Sequence, residues 1–142
     1  MTPLTQIARK TMLGLIFAAS TLLLTACGGP SEDNAKETAE KISTAMFNQE
    51  TSTVLSYVNG YENLSEDDQE LAHNKIGQML ELVAANAEKH GGVDTIEATE
   101  YKELSNNRVN VKVLVTFDDG STEDSTVKLQ WDEASESYKL RN

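Results

Sequence analysis

Basic residues, cysteine and histidine are scarce in this sequence, and each shortage removes a class of function. Across 142 residues, 12 Lys plus Arg face 23 Asp plus Glu, a formal net charge of −11. Nucleic-acid binding needs clustered cations that displace the counterions of phosphates, so no nucleic-acid partner is expected. A lone cysteine, Cys27, makes neither an internal disulfide nor a multi-cysteine zinc site. Zinc needs about four converging ligands, commonly at i, i+4, and His73 and His90 stand far apart in the chain. The acid pairs Asp67-Asp68 and Asp118-Asp119 lack the alternating ligand spacing of a calcium loop. Gly-rich phosphate loops, nucleophile elbows and Cys-His pairs are missing too. Nothing in the sequence calls for a metal or a cofactor.

With 39% hydrophobic residues the chain has enough apolar side chain for a core, and its length suits one domain. Its apolar character is concentrated at the start. Arg9 and Lys10 precede an uncharged stretch from Met12 to Leu24. A helix of that length covers about 20 Å, short of a hydrocarbon core about 30 Å thick, and matches the hydrophobic region of a signal peptide. Leu24-Thr25-Ala26-Cys27 follows it and resembles the bacterial lipobox. That resemblance implies lipid on the Cys27 sulfur and cleavage between Ala26 and Cys27. The residue types fit the chemistry: a thiol is the nucleophile that takes the lipid, and a small Ala26 leaves room at the cut. The alternative is an ordinary secretory signal cut at an Ala-x-Ala-like site, with Cys27 a bystander.

Cleavage removes Arg9 and Lys10 and no acid, which leaves 116 residues with a net charge of −13. Acyl chains anchor such a protein at about 0.8 kcal/mol per buried CH₂. Residues 27–31 hold the lipidated cysteine and a tether, Gly28 to Ser31, that extends about 13 Å. The acidic domain, 32–142, is therefore expected close to the bilayer but repelled from anionic headgroups. Gly28 follows the cysteine, where inner-membrane retention in enteric bacteria uses Asp. The outer membrane is the expected location where the organism has one.

From Ser31 onward the pattern is helical. Ala35, Ala39, Ile42 and Met46 fall on one stripe, with Ser31 as N-cap and Glu32 and Asp33 in the first turn. The polar run 48–53 ends this helix, and Val54, Leu55, Tyr57 and Val58 form one or two further turns. Ser65-Glu66-Asp67-Asp68 resembles a capping box for a long helix that runs to Lys89 and stops at His90-Gly91-Gly92. Ile76, Met79, Leu80, Val83 and Ala87 line one face of it. Leu71 and Leu82 lie nearly opposite, so the helix is expected to meet the sheet on one side and the first helix on the other, the alternative being an exposed ridge that binds a partner. After Gly92 the period becomes two. Val93 to Leu104, then Val109 to Phe117, then a strand around Val127, Leu129 and Trp131, then Tyr138 to Leu140 read as four strands, with turns at 105–107, 118–121 and 132–137.

Three consecutive hairpins make an antiparallel meander, and only the preceding helices are available to cover its apolar face. The predicted fold class is α+β, with N-terminal helices packed on one face of a curved four-stranded antiparallel sheet. The element order, the Gly91-Gly92 junction, the Val109 to Phe117 strand, the Asp119-Gly120 turn and the closing Tyr138-Lys139-Leu140 resemble the cone-shaped nuclear transport factor 2-like superfamily. In particular they resemble its bacterial lipoprotein branch with a lumazine-binding-like domain. Isomerases and dehydratases of that superfamily place an Asp or His inside the cone, and here the inward residues of the two clearest strands are Val, Phe, Leu and Trp. Glu100 is the one weak catalytic candidate, sharing a face with Ile96 and Ala98, although the alternation fails there and a bulge would turn it to solvent. Tyr57, Tyr101, Trp131 and Tyr138 are the candidates to line a pocket, with core packing as their other reading. Tyr61 is a further aromatic of this kind. His90 suits the C-terminal dipole of its helix and His73 partial burial.

The preferred reading is a membrane-anchored lipoprotein whose domain binds, without catalysis, a small ligand or a protein partner. An isomerase- or dehydratase-like enzyme is one alternative, and an accessory or immunity-type protein that binds a basic protein is another. The polar outer sheet face, with Asn110, Lys112, Thr116, Lys128 and Gln130, predicts a monomer or a weak dimer through another surface.

Overall fold

The computed structural model describes residues 29–141, so the signal region, Ala26 and Cys27 lie outside the described residues. Helix α1 spans Glu32–Phe47, α2 Thr51–Ser56 and α3 Glu66–Lys89, with a 3-10 turn at Tyr61–Asn63. Strands β1 (Val93–Glu103), β2 (Arg108–Phe117), β3 (Thr122–Asp132) and β4 (Ser137–Leu140) form one antiparallel sheet in sequence order. The α+β architecture is the expected one. Among the described residues no helix is long and apolar enough to cross a membrane.

Local chemistry sets the helix ends. Ser31 Oγ accepts from the Asn34 amide at 3.2 Å, and the Asn34 side chain donates to the Gly29 carbonyl at 3.1 Å. Ser65 Oγ accepts from the Asp68 amide at 3.2 Å and donates to the Asp68 carboxylate at 2.8 Å, so the cap forms while the short Asp side chain meets the Ser65 hydroxyl in place of the backbone amide that a capping box engages. Helix α2 starts earlier than its apolar residues suggest, because Gln49 in the left-handed region (φ 58°) turns the chain within the polar run. At the end of α3, Gly91 and Gly92 take φ of 86° and 108°. A Cβ on Gly92 would sit 3.1 Å from the Asp118 carboxylate, so glycine allows both the turn and the close approach to the β2–β3 hairpin.

Helix α1 lies across the inner face of the sheet, chiefly over β1 and β2. Its stripe of Ala35, Ala39 and Ile42 is fully buried against Val109, Val111, Val113, Val115 and Leu129, where small alanines let the helix approach the strands closely. A second cluster joins Ala45, Val54 and Leu80, with Ile76 and Leu140 packed against it. Helix α3 differs from expectation. Its extensive contacts are with α1 and α2, and it joins the core against the sheet only at its C-terminal end, through Ala87, so the rest of the helix stands off the sheet as a second layer. Leu71 and Leu82 meet no second surface, being 51% and 73% exposed.

In β1 the register slips between Val93 and Thr95 and again between Ala98 and Glu100. The second slip is a bulge that puts Glu100 on the solvent side, where Lys112 Nζ donates to its carboxylate at 2.9 Å. At the other edge, β4 pairs with β3 only from Leu129 to Asp132. Tyr57 and Val58 close the far side of β4, the Leu140 amide donating to the Tyr57 carbonyl at 2.7 Å.

Candidate functional site

Because α3 is held off the sheet, an apolar cleft of about 370 Å³ opens between α1, α3 and β3. Its floor is Ile42, Met46, Phe47 and Val115, and Ile76, Met79 and Val83 of α3 form one wall. The opposite wall is β3 from Glu123 to Lys128, with Val54, Val58 and Leu140 at the inner end. Polar groups sit around this lining: the buried Ser43, then Ser125 and Thr126, with Glu123 at one end and Lys128 and Arg141 at the other. Such a volume is in the range that takes small ligands or a few side chains of a partner. A shallower apolar depression continues outward past Phe47, Met79, Leu82 and Asn86 to Glu123.

The aromatic residues expected to line a pocket are not in this cleft. Trp131 and Tyr138 face each other across β3 and β4 in the core, ring centroids 5.2 Å apart and nearly perpendicular. Tyr101 packs against the same cluster, so three of the four candidates are brought together as core. Burial, and secondarily Tyr101, pushes the Tyr138 phenol up to about 12. Tyr57 lies beside α1 in a shallow surface depression with Glu37, Glu40 and Lys41. The Tyr61 hydroxyl reaches the Gln69 carbonyl at 3.5 Å. Glu100, exposed and paired with Lys112, does not line the cleft. The apolar residues that do line it are Phe47 and aliphatic or Met side chains that helical and strand spacing assign to packing, and the signal of a cavity is the breadth of apolar surface on α3.

A Ser, a His and an Asp do meet at the end of α3. His90 Nδ1 lies 2.8 Å from Asp119 Oδ2 and 3.1 Å from Ser121 Oγ, and its ring stacks on Phe117 at 5.0 Å. A nucleophilic relay needs the acid and the nucleophile on opposite ring nitrogens. Here both address Nδ1, and Ser121 also bonds Asp119 directly, so the cluster clamps the helix end to the β2–β3 turn. The Ser121 hydroxyl and amide, then His90, hold the Asp119 carboxyl down at about 2. His73, expected to be partly buried, is exposed, at the edge of a shallow depression that it shares with Thr51, Ser52 and Thr53 of α2. Among the described residues no group of three or more His, Cys, Asp or Glu is placed to hold a metal ion.

No protein-family model matches the sequence, and no curated protein matches it. Among solved structures it is similar to a Campylobacter jejuni crystal structure described as an NTF2-like transpeptidase, NTF2 being nuclear transport factor 2. The TM-score is 0.63 at 24% identity, over 73% of this chain and 94% of that one. Helices over one face of an ordered four-stranded meander, together with that superposition, establish that the chain has the nuclear transport factor 2-like fold.

Proposed function

We propose that this chain is a lipid-anchored protein of the bacterial cell envelope whose domain binds an apolar ligand or partner group without transforming it. The apolar cleft between α1, α3 and β3 carries the binding half of this reading. The Leu24-Thr25-Ala26-Cys27 sequence carries the anchor, and the element order supports a place in the lumazine-binding-like lipoprotein branch. Acid-base chemistry would have Glu123 as its carboxylate in the cleft, and that residue is exposed at the mouth. The word transpeptidase attached to the Campylobacter protein asks for an activated nucleophile. The cleft offers Ser43, Ser125 and Thr126, no histidine lines it, and Cys27 is committed to the lipid.

Native mass spectrometry of the full chain, extracted from its own membranes in mild detergent, tests the binding. A bound species is expected on the natural protein, and Met79→Trp, which fills the cleft from the α3 wall, should remove it. Absence of any bound species, or equal retention by the variant, overturns the reading.

A further inference from the structure

The cleft ends on a strand edge that nothing covers among the described residues. Among the described residues, β3 is paired from Thr122 to Val127 on its β2 side alone. In an antiparallel ladder, alternate residues turn their N–H and C=O groups to opposite neighbours. The Lys128 carbonyl accepts from the Arg141 amide on the β4 side, so Thr122, Asp124 and Thr126, in step with Lys128, aim their backbone groups at the open edge. All three are exposed. Folded proteins usually blunt such edges with bulges, proline or charged side chains. The β1 edge has its bulges, whereas β3 keeps an unbroken register, has neither proline nor lysine over this stretch, and is guarded only by the acids Glu123 and Asp124, which a cation on an added strand would neutralise.

Two further features define what fits there. Beside the edge, Met79 and Leu82 of α3 are 41% and 73% exposed and lead into the cleft. At its start stands acid: Glu123, in no ion pair among the described residues, with Asp124 next to it. A second copy of the chain would bring this acid against its own image, which is destabilising.

We propose that this edge binds an extended segment of a partner protein that adds a strand to β3, with apolar residues at alternate positions and a Lys or Arg opposite Glu123. The proposal rests on the binding reading above and gives it a partner class. Backbone bonds to Thr122, Asp124 and Thr126 hold a segment spanning roughly 17 Å, at about 3.3 Å per residue. Its inward side chains enter the cleft past Met79 and Leu82. Its cation meets Glu123.

The test is selection of random peptides on the full chain in detergent micelles, followed by hydrogen exchange of the complex. Selected peptides should alternate apolar residues with a basic residue near one end, and should slow exchange of the Thr122, Asp124 and Thr126 amides at least about tenfold. Glu123→Lys should weaken them about tenfold or more, and Asp124→Pro, which deletes one edge donor, should do the same. Peptides without this pattern, binding that leaves those amides unchanged, or failure to select any peptide overturns the proposal. Slowed exchange without peptide that grows with protein concentration assigns the edge to a second copy and also overturns it. Nile red separates the two levels. Dye uptake that Met79→Trp abolishes, with no peptide bound, removes the strand-addition proposal alone; failure of both dye and peptide removes the binding reading with it.

Discussion

The Glu40 carboxylate on α1 accepts a hydrogen bond from the Ala98 amide at 2.8 Å, where β1 breaks step with β2. Ala98 stands opposite Val113, whose backbone groups address β3, so its amide faces the outer edge of β1 and the helix side chain supplies its acceptor there. Glu40→Ala leaves that half-buried amide unpaired and should lower stability by about 1 kcal/mol in urea titration. Glu40→Gln keeps an acceptor oxygen and should lose less. Faster exchange of the Ala98 amide in the alanine variant checks the cause.

The two faces of α3 give opposite predictions. Leu80 is fully buried in the cluster with Ala45 and Val54, and Leu80→Ala should cost about 2–5 kcal/mol. Leu82, largely in water, should tolerate alanine within about 0.5 kcal/mol. Equal losses at the two sites would contradict the placement of α3.

Two groups add a pH dependence to stability at opposite ends of the scale. Asp119 has its carboxyl depressed to about 2, so its contribution is present above the ordinary carboxylate range and fades as pH falls from about 4 to about 2. Asp119→Asn should flatten the acid side of a stability profile in that window. The thermal melts of the two proteins should converge below it.

Tyr138 acts at the alkaline end. Its phenol ionises near 12 when folded and near 10 when unfolded, so the stability it lends is complete below 10 and is lost as pH rises toward 12. Absorbance titration at about 295 nm should show one of the four tyrosines ionising late, together with loss of the folded circular-dichroism signal.

Lipidation has its own test. Cys27→Ser should abolish incorporation of labelled palmitate and leave the signal uncut. An unchanged mature mass would remove the anchor from the proposed function.

These tests divide along what the sequence makes legible. The alternating valines of β2 and the Ala35, Ala39, Ile42 stripe announce both halves of the core, because burial demands apolar side chains at the period of each element. The failed alternation at Glu100 announces the bulge, since a carboxylate on the inner face would have been stranded. The cleft was not legible. Ile76, Met79 and Val83 look the same to helical periodicity whether they touch the sheet or face a gap, and the gap arises from α1 occupying the sheet first. The aromatics misled for a related reason: Trp131 and Tyr138 find each other across a strand pair, a relation that residue type does not encode.

The Asn34 side chain fastened to the Gly29 carbonyl changes the mechanics of the proposed anchor. The chain is thus tied to the fold at Gly29, two residues ahead of the Ser31 N-cap. Two residues reach about 7 Å, so a lipid on Cys27, as proposed, would make the start of α1 the end of the domain nearest the bilayer.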